Sequence, residues 1–436
     1  MELEHHQKVR DYLASVCSQI KRREIHEPIS QELLGHIQDT AEELVRAGFS
    51  EEEAVEKAII QMGDADGLGK QLHRTHRPRF EWRLLAIVAP LIGLGLLALY
   101  AMEVNHLIYS NTSQFTSRLV FLLLGVLVAI SIYLLDYRRF KSYSRFLYAG
   151  TLLMSALFLI GSLPNRVPTI FLGAVRVNIN FIEASPYFFI VALAGIFSEW
   201  DWDQPGGFVK ASGLIGVPLF LYLAVPSLSA AIVFVAAGTA LALFSGAKRG
   251  QVFTLTAVLA VVAMLYLSLE PYRLDRFFSF LYAHRDPQGS GYIYLKTFEA
   301  IHSAGLWGQG FTFPSQHLPA ISNELIFAYL VYTFGWVVGI AIAALVVTFI
   351  VYIAKLAGQT SDSYGRLLVI GVVSIFAVQF AWNILMTLGF APITGMTLPF
   401  VSYSGLHLLM QMAGIGFILS VYGRKNMVRD SRTAQS

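Results

Sequence analysis

The stretch RPRFEWRLLAIVAPLIGLGLLALYAM (77–102) decides the fold class: three arginines lead straight into Leu84–Met102, an apolar run of 19 residues. A helix of that length crosses a bilayer core of about 30 Å, and the basic flank predicts a cytosolic N-terminal side. The pattern recurs along the chain. Further apolar runs occupy approximately 119–135, 146–163, 186–198, 211–225, 229–246, 252–269, 325–354, 367–390 and 405–422, which makes ten spans. Of 436 residues, 55% are hydrophobic and only 14% charged, against roughly 25% charged in a soluble domain. The expectation is an all-α, polytopic membrane protein with about ten transmembrane helices.

Charge sets the expected topology. DYRRFKSYSR (136–145), Lys210, Lys248 with Arg249, Arg366, and Arg424, Lys425 and Arg429 of the tail all fall on the side of the N-terminus. An even number of spans then returns the C-terminus to the cytoplasm, giving a multi-pass protein with both termini inside. Pro186 and Pro218 make spans 186–198 and 211–225 the least sharply bounded, and Pro226 leaves a re-entrant break as an alternative to a full turn. The net charge of +3 sits beside spans, where headgroups and topology account for it, so nucleic acid is not an expected partner. Cys17 is the single cysteine, which excludes a disulfide framework within the chain. Residues 1–24 are charged throughout and lack the apolar core of a signal peptide.

Residues 1–80 read as a small cytosolic helical domain. Leu33, Leu34, Ile37, Ala41, Leu44 and Val45 recur at helical spacing. Ser50 and Glu53 form an S-x-x-E capping box ahead of Ala54, Val55, Ala58, Ile59 and Met62, and Gly63 fits a helix stop. The FSEEEAVEKAIIQMGD segment (49–64) resembles the helical prefix domain found before bacterial permease-like proteins. Residues 84–423 form the membrane domain, and 424–436 a basic cytosolic tail.

No phosphate loop, H-E-x-x-H or G-x-S-x-G motif is present. Chemistry is therefore sought in the loop between Leu269 and Leu325, placed on the outer side, where fixed charges accompany glycines that let backbone approach a ligand. In EPYRLDR (270–276), Arg273 and Arg276 share a helix face and could grip a diphosphate or snorkel at the interface. Asp286 in RDPQGSGY (285–292) precedes a proline and two glycines, which favours a structural turn. Glu324 opens the eighth span, where an unpaired carboxylate costs roughly 2 to 3 kcal/mol toward the bilayer centre. Asn383, inside an apolar span, should bond a neighbouring helix. GFAPITGMTLPFVSYSG (389–405) reads as a re-entrant, strand-like loop lining a cavity.

Together, DYRRF (136–140), EPYRLDR (270–276), DPQGSGY with GLWGQGF (286–311), LP with ELIF (318–327), and Asn383 with PITGMTLPFVSYSG (392–405) resemble the SEDS family, which includes FtsW, RodA and SpoVE. The resemblance covers residues 84–423. It implies a peptidoglycan glycosyltransferase that polymerises lipid II, in division, elongation or sporulation, usually with a class B penicillin-binding protein as transpeptidase partner. The family's essential acidic residue falls on Glu324, implying a general base. Arg176, Asp286, Asn383, Thr394, Ser402 and Tyr403 match its other motif positions. Arg176, Arg273, Arg276 and Lys296 are the candidate diphosphate partners. No complete metal-ligand set is visible; Asp286 and Glu324 are the two carboxylates that could contribute to a Mg²⁺ or Mn²⁺ site.

The departures are as informative as the matches. Glu is one methylene longer than the family's Asp. EASP (183–186), with Phe189, stands where the family has Q-P-S-E and a lysine; PSLS (226–229) stands for P-D-L-G; Tyr332 and Thr333 stand for an E-E pair; SYSGLH (402–407) stands for S-Y-G-G-S-S. Two further readings stay open. One is a catalytically attenuated relative that binds lipid II as a scaffold or regulator, and the other is a lipid II translocase.

Overall fold

The computed structural model describes Leu3 and residues 6–20, 26–75, 81–108, 113–162, 169–172, 175–178, 180–311 and 320–425. Two compact units emerge, residues 1–80 with 423–436, and residues 81–422. In the first unit, α1 (Gln7–Ser18), α2 (His26–Arg46), α3 (Glu51–Met62) and α4 (Ala65–Thr75) enclose Val9, Val16, Ile37, Ala41, Ala54 and Ala58 completely. The helix stripe expected on α2 packs inward: Leu33, Ile37 and Ala41 are core, and Leu34, Leu44 and Val45 pack against it. The Ser50–Glu53 capping box forms in full. Its hydrogen bond from Ser50 holds the Glu53 carboxyl below the usual carboxylate range, and Gly63 ends α3 at φ +85°.

The second unit comprises α5 (Trp82–Val104), α6 (Gln114–Leu134), α7 (Arg138–Ser142), α8 (Ser144–Ser162), α9 (Phe181–Phe197), α10 (Gly207–Ala224), α11 (Leu228–Phe244), α12 (Arg249–Ser268), α13 (Pro271–Phe278), α14 (Tyr292–Ser303), α15 (Ile326–Gly358), α16 (Ser363–Thr387) and α17 (Gly405–Gly423). Eight of these are long and apolar enough to cross a membrane, and α9 and α11 are shorter apolar helices. The ten expected spans each correspond to one of these helices, shifted by a few residues at the ends. Pro186 and Pro218 lie inside α9 and α10. Val225–Ser227 separates α10 from α11, so the chain makes a short connection there.

Position in the bundle follows from burial. α16 has 67% of its central window buried and α12 only 17%, so α16 is an interior helix and α12 presents an apolar face outward, as membrane helices do toward lipid. α9 is buried along most of its length, from Ile182 to Phe197, with Glu183, Phe188 and Ile196 half-buried, and packs with α8, α11 and α16. Among the described residues, the one addition to the all-α expectation is a hairpin, β1 (Thr169–Leu172) and β2 (Val175–Asn178), antiparallel with Phe171 opposite Arg176.

The GLWGQG motif acquires a structural role. α15 is interrupted at Gly335 (φ +83°, ψ 173°), and the motif's backbone docks into the gap: Trp336 N donates to Gly305 O at 3.1 Å and Gln309 N to Tyr332 O at 2.8 Å. A Cβ on Gly335 would lie 2.0 Å from Leu306 O, and one on Gly308 2.2 Å from Thr333 O. Either alanine substitution should therefore undock residues 305–310 and destabilise the fold by about 3 kcal/mol or more. Gly358→Ala, with nothing within 4 Å, should leave the melting temperature of the detergent-purified protein unchanged.

Candidate active site

The turn before α15 is built on one acceptor, since the backbone N–H groups of Asn323, Glu324 and Leu325 all donate to Ala320 O at 3.0–3.2 Å. It leaves the Glu324 side chain half-buried. Asn383 on α16 is completely buried. Its amide donates to Glu324 O at 2.9 Å and to Met396 O at 2.8 Å, so one side chain joins the carboxylate-bearing turn to the loop 389–404. Gly395, at φ +85°, brings that loop's backbone beside the carboxylate: a Cβ there would stand 3.7 Å from Glu324 Oε1.

The loop is irregular, with residues 396–402 all buried and no strand in it. The strand-like expectation is thereby corrected: no neighbouring strand offers a ladder, and side chains meet the backbone groups instead. Leu398 N donates to Ser402 Oγ at 2.8 Å, Phe400 N to Gln411 Oε1 at 2.8 Å, and Ile393 N to Tyr294 Oη at 2.8 Å. Arg118, 1% exposed, donates to Ser402 O at 2.5 Å and to Phe400 O. The loop also grips the turn directly. Ser402 Oγ donates to Asn323 O at 2.5 Å, and Tyr403 N donates to Ser322 O at 2.8 Å.

Beside this assembly lies a cavity of about 240 Å³, bordered by Arg273, Thr394, Tyr266, Phe277 and apolar residues of α10–α12. The Arg273 guanidinium sits over the Tyr266 ring at 4.8 Å, and Thr394 Oγ1 is buried without a protein partner. One cation, Thr394 and the Tyr266 phenol in an otherwise apolar wall suit a molecule that is anionic at one end and greasy at the other.

Glu324, Asn383, Ser402 and Tyr403 are thus linked by the turn and the loop, and Arg273 shares a cavity with Thr394. Two other candidates are occupied elsewhere. The Asp286 carboxylate accepts from Gly289 N (3.1 Å) and Ser290 N (2.8 Å) of its own turn. Lys296 is exposed and bonded to Glu299 at 2.7 Å, which raises its pKa above the ordinary lysine value. Neither borders this cavity. The side chains of Arg176 and Arg276 and residues 312–319 and 426–436 lie outside the described residues. Among the described residues no three His, Cys, Asp or Glu side chains cluster. With both Asp286 oxygens turned to backbone amides, Asp286 and Glu324 do not present a donor set that fits Mg²⁺ or Mn²⁺.

Sequence reading missed Arg118, Gln411 and the pair Glu183–His407, whose side chains meet at 3.0 Å. Arg118 was detectable. It stands in FTSRLVFLLLG, inside α6, four residues after its start, and an arginine within an apolar span calls for a partner. Starting that span at 119 hid it.

Asn383→Asp replaces two N–H donors by acceptors facing two carbonyls in a buried site, so it should cost about 3 kcal/mol. A thermal melt of the purified variant would register this as a clear drop, together with loss of whatever activity Glu324 supports.

The described residues correspond to known proteins at the level of sequence and fold. Residues 82–427 match the FtsW/RodA/SpoVE family, described as cell cycle proteins. FtsW of Thioalkalivibrio sp. is 30% identical over 357 residues, covering 78% of this chain and 88% of that protein. The peptidoglycan glycosyltransferase RodA of Treponema pallidum is 24% identical over 426 residues, covering 79% and 98%. A solved chain from a peptidoglycan synthase complex that coordinates polymerization and crosslinking shares the fold with a TM-score of 0.66, at 24% identity over 79% of this chain and 97% of that one. The chain is therefore a multi-pass membrane protein that belongs to the FtsW/RodA/SpoVE family of cell cycle proteins.

Proposed function

We propose that the protein is a peptidoglycan glycosyltransferase that polymerises lipid II at the outer face of the cytoplasmic membrane, with a class B penicillin-binding protein as its crosslinking partner. Both termini are cytosolic in this reading, because basic residues concentrate on that side. The activity of the RodA relative and the complex containing the structural neighbour support it. The observation that carries it within this chain is the Glu324 carboxylate, held by its backbone to Asn383 and flanked by Gly395.

In the proposed reaction a sugar hydroxyl attacks the anomeric carbon of a polyprenyl-diphosphate-linked donor. Glu324 removes the hydroxyl proton as the new C–O bond forms and the bond to the diphosphate breaks. Arg273, which borders the cavity with Thr394, would meet the departing diphosphate. Arg176 and Arg276 are the further candidates, and Lys296 is the weakest because Glu299 already neutralises it. The apolar remainder of the cavity wall would take the start of the polyprenyl chain.

A second reading is favoured by the extra methylene of Glu324 relative to the family's Asp: a lipid II-binding relative with attenuated turnover, since displacement of a base by about 1 Å can cost on the order of 100-fold. Purified lipid II, the purified chain and candidate class B partners distinguish the two. Glu324→Ala should lower polymer formation at least about 100-fold with lipid II binding retained. Polymer unaffected by that substitution would remove Glu324 from the chemistry. A gain in Glu324→Asp, or binding without polymer under every condition, would establish attenuation instead.

A further inference from the structure

Glu183 and His407 stand in the first turns of α9 and α17, 224 residues apart in sequence, and meet through His407 Nε2 and Glu183 Oε2 at 3.0 Å. Their side chains are 37% and 14% exposed. Glu183 therefore keeps contact with the outside while the imidazole is largely enclosed. The other ring nitrogen, His407 Nδ1, is buried with no protein partner, and so is Thr397 Oγ1. Both residues border one void of about 10 Å³, together with Glu183, Tyr187, Gln379 and Gly395, which is room for about one water molecule.

The far wall of this void belongs to the site already described. Gly395 has Glu324 beside it, and the carbonyl of Met396 shares the Asn383 amide with the carbonyl of Glu324. Residues 395–397 thus border the void shared with Glu183 and His407 and, through Gly395 and Met396, adjoin the turn that carries Glu324.

Resting on the reaction proposed above, we propose that Glu183 and His407 are a positioning pair for Glu324, which sets the placement of residues 395–397 against the carboxylate according to the protonation of the imidazole. With Nε2–H donated to Glu183, a neutral ring presents Nδ1 to the void as an acceptor; a protonated ring presents N–H there as a donor. Protonation therefore reverses the polarity facing Thr397 and the void. The ionisable residues bordering it are Glu183, Tyr187 and His407, Tyr187 donating its hydroxyl to Gln379 at 3.1 Å; α11 contributes Ser229, α16 contributes Gln379, and Glu324 lies near Gly395. A plain tie between α9 and α17 would be served by two amides, whereas an ionisable pair among apolar helices is costly, and histidine as a residue type changes charge between pH 5 and 8.

The test uses the full chain with lipid II and its partner, in His407→Gln, Glu183→Gln and the double variant, from pH 5 to 8. The expected result is a roughly 10-fold lower kcat in each single variant, an unchanged KM for lipid II, an unchanged melting temperature and a flattened pH profile. The double variant should be no worse than the singles, because the two residues act as one unit. Hydrogen exchange gives a readout independent of turnover. The amides of Ile393 and Leu398, bonded to Tyr294 and Ser402, should exchange with a pH response beyond the intrinsic one in the native chain, and lose it in His407→Gln. Native kcat and pH profile in the variants, with only the melting temperature lowered, would reduce the pair to a helix tie and overturn the proposal. If the native chain makes no polymer, the reaction assigned to Glu324 fails separately, and exchange decides: a lost pH response upholds the positioning pair, and exchange indifferent to His407 overturns it.

Discussion

Everything at the candidate site depends on satisfying the backbone of a buried, irregular loop inside an apolar bundle. Residues 389–404 can form neither a helix nor a ladder, and a membrane interior supplies no water to their N–H and C=O groups. The polar side chains scattered through the apolar helices answer that need. Arg118 from α6 takes two carbonyls, Asn383 from α16 takes the Met396 carbonyl, Gln411 from α17 takes the Phe400 amide, and Tyr294 from α14 takes the Ile393 amide. Because Asn383, Ser402 and Tyr403 also bond the turn at 322–324, the loop and the carboxylate form one mechanical unit.

The same economy explains the glycines that matter. At Gly335 the helix opens so that residues 305–310 can donate and accept through backbone alone, and at Gly395 the backbone reaches the carboxylate without a side chain between. Both positions have φ near +85°, a region an L side chain enters only with strain. The residues around the cavity then divide by chemistry. Arg273 and Thr394 supply a polar end and the α10–α12 walls an apolar one, an arrangement suited to a lipid-linked sugar rather than to a freely soluble substrate.

Much of the fold was legible because its signals are local. Apolar runs long enough to span a bilayer appear as helices, and the S-x-x-E box caps α3. Asn383 could be marked in advance, since an amide in an apolar span has few alternatives to bonding a neighbour. Asp286 likewise occupies the turn that its Pro and Gly neighbours suggested. What misled was composition without context: the loop at 389–405 has the Pro, Gly and hydroxyl residues of an extended segment but no partner strand, and Arg118 lay one residue outside a span drawn by hydropathy alone.

By itself the sequence determined the membrane-spanning class, the approximate limits of the helices and the need of Asn383 for a partner outside its own helix, since hydropathy, helix length and the cost of burying a polar group act over a few turns of chain. Only the tertiary structure decided which groups meet. It brought Arg118 to Phe400 and Ser402, Glu183 to His407, and Arg273 to the edge of Thr394, while leaving Asp286 and Lys296 with partners of their own. Those pairings depend on how helices far apart in sequence rotate and stack. That choice is made by packing and hydrogen-bond satisfaction summed over the whole bundle, not by any local pattern.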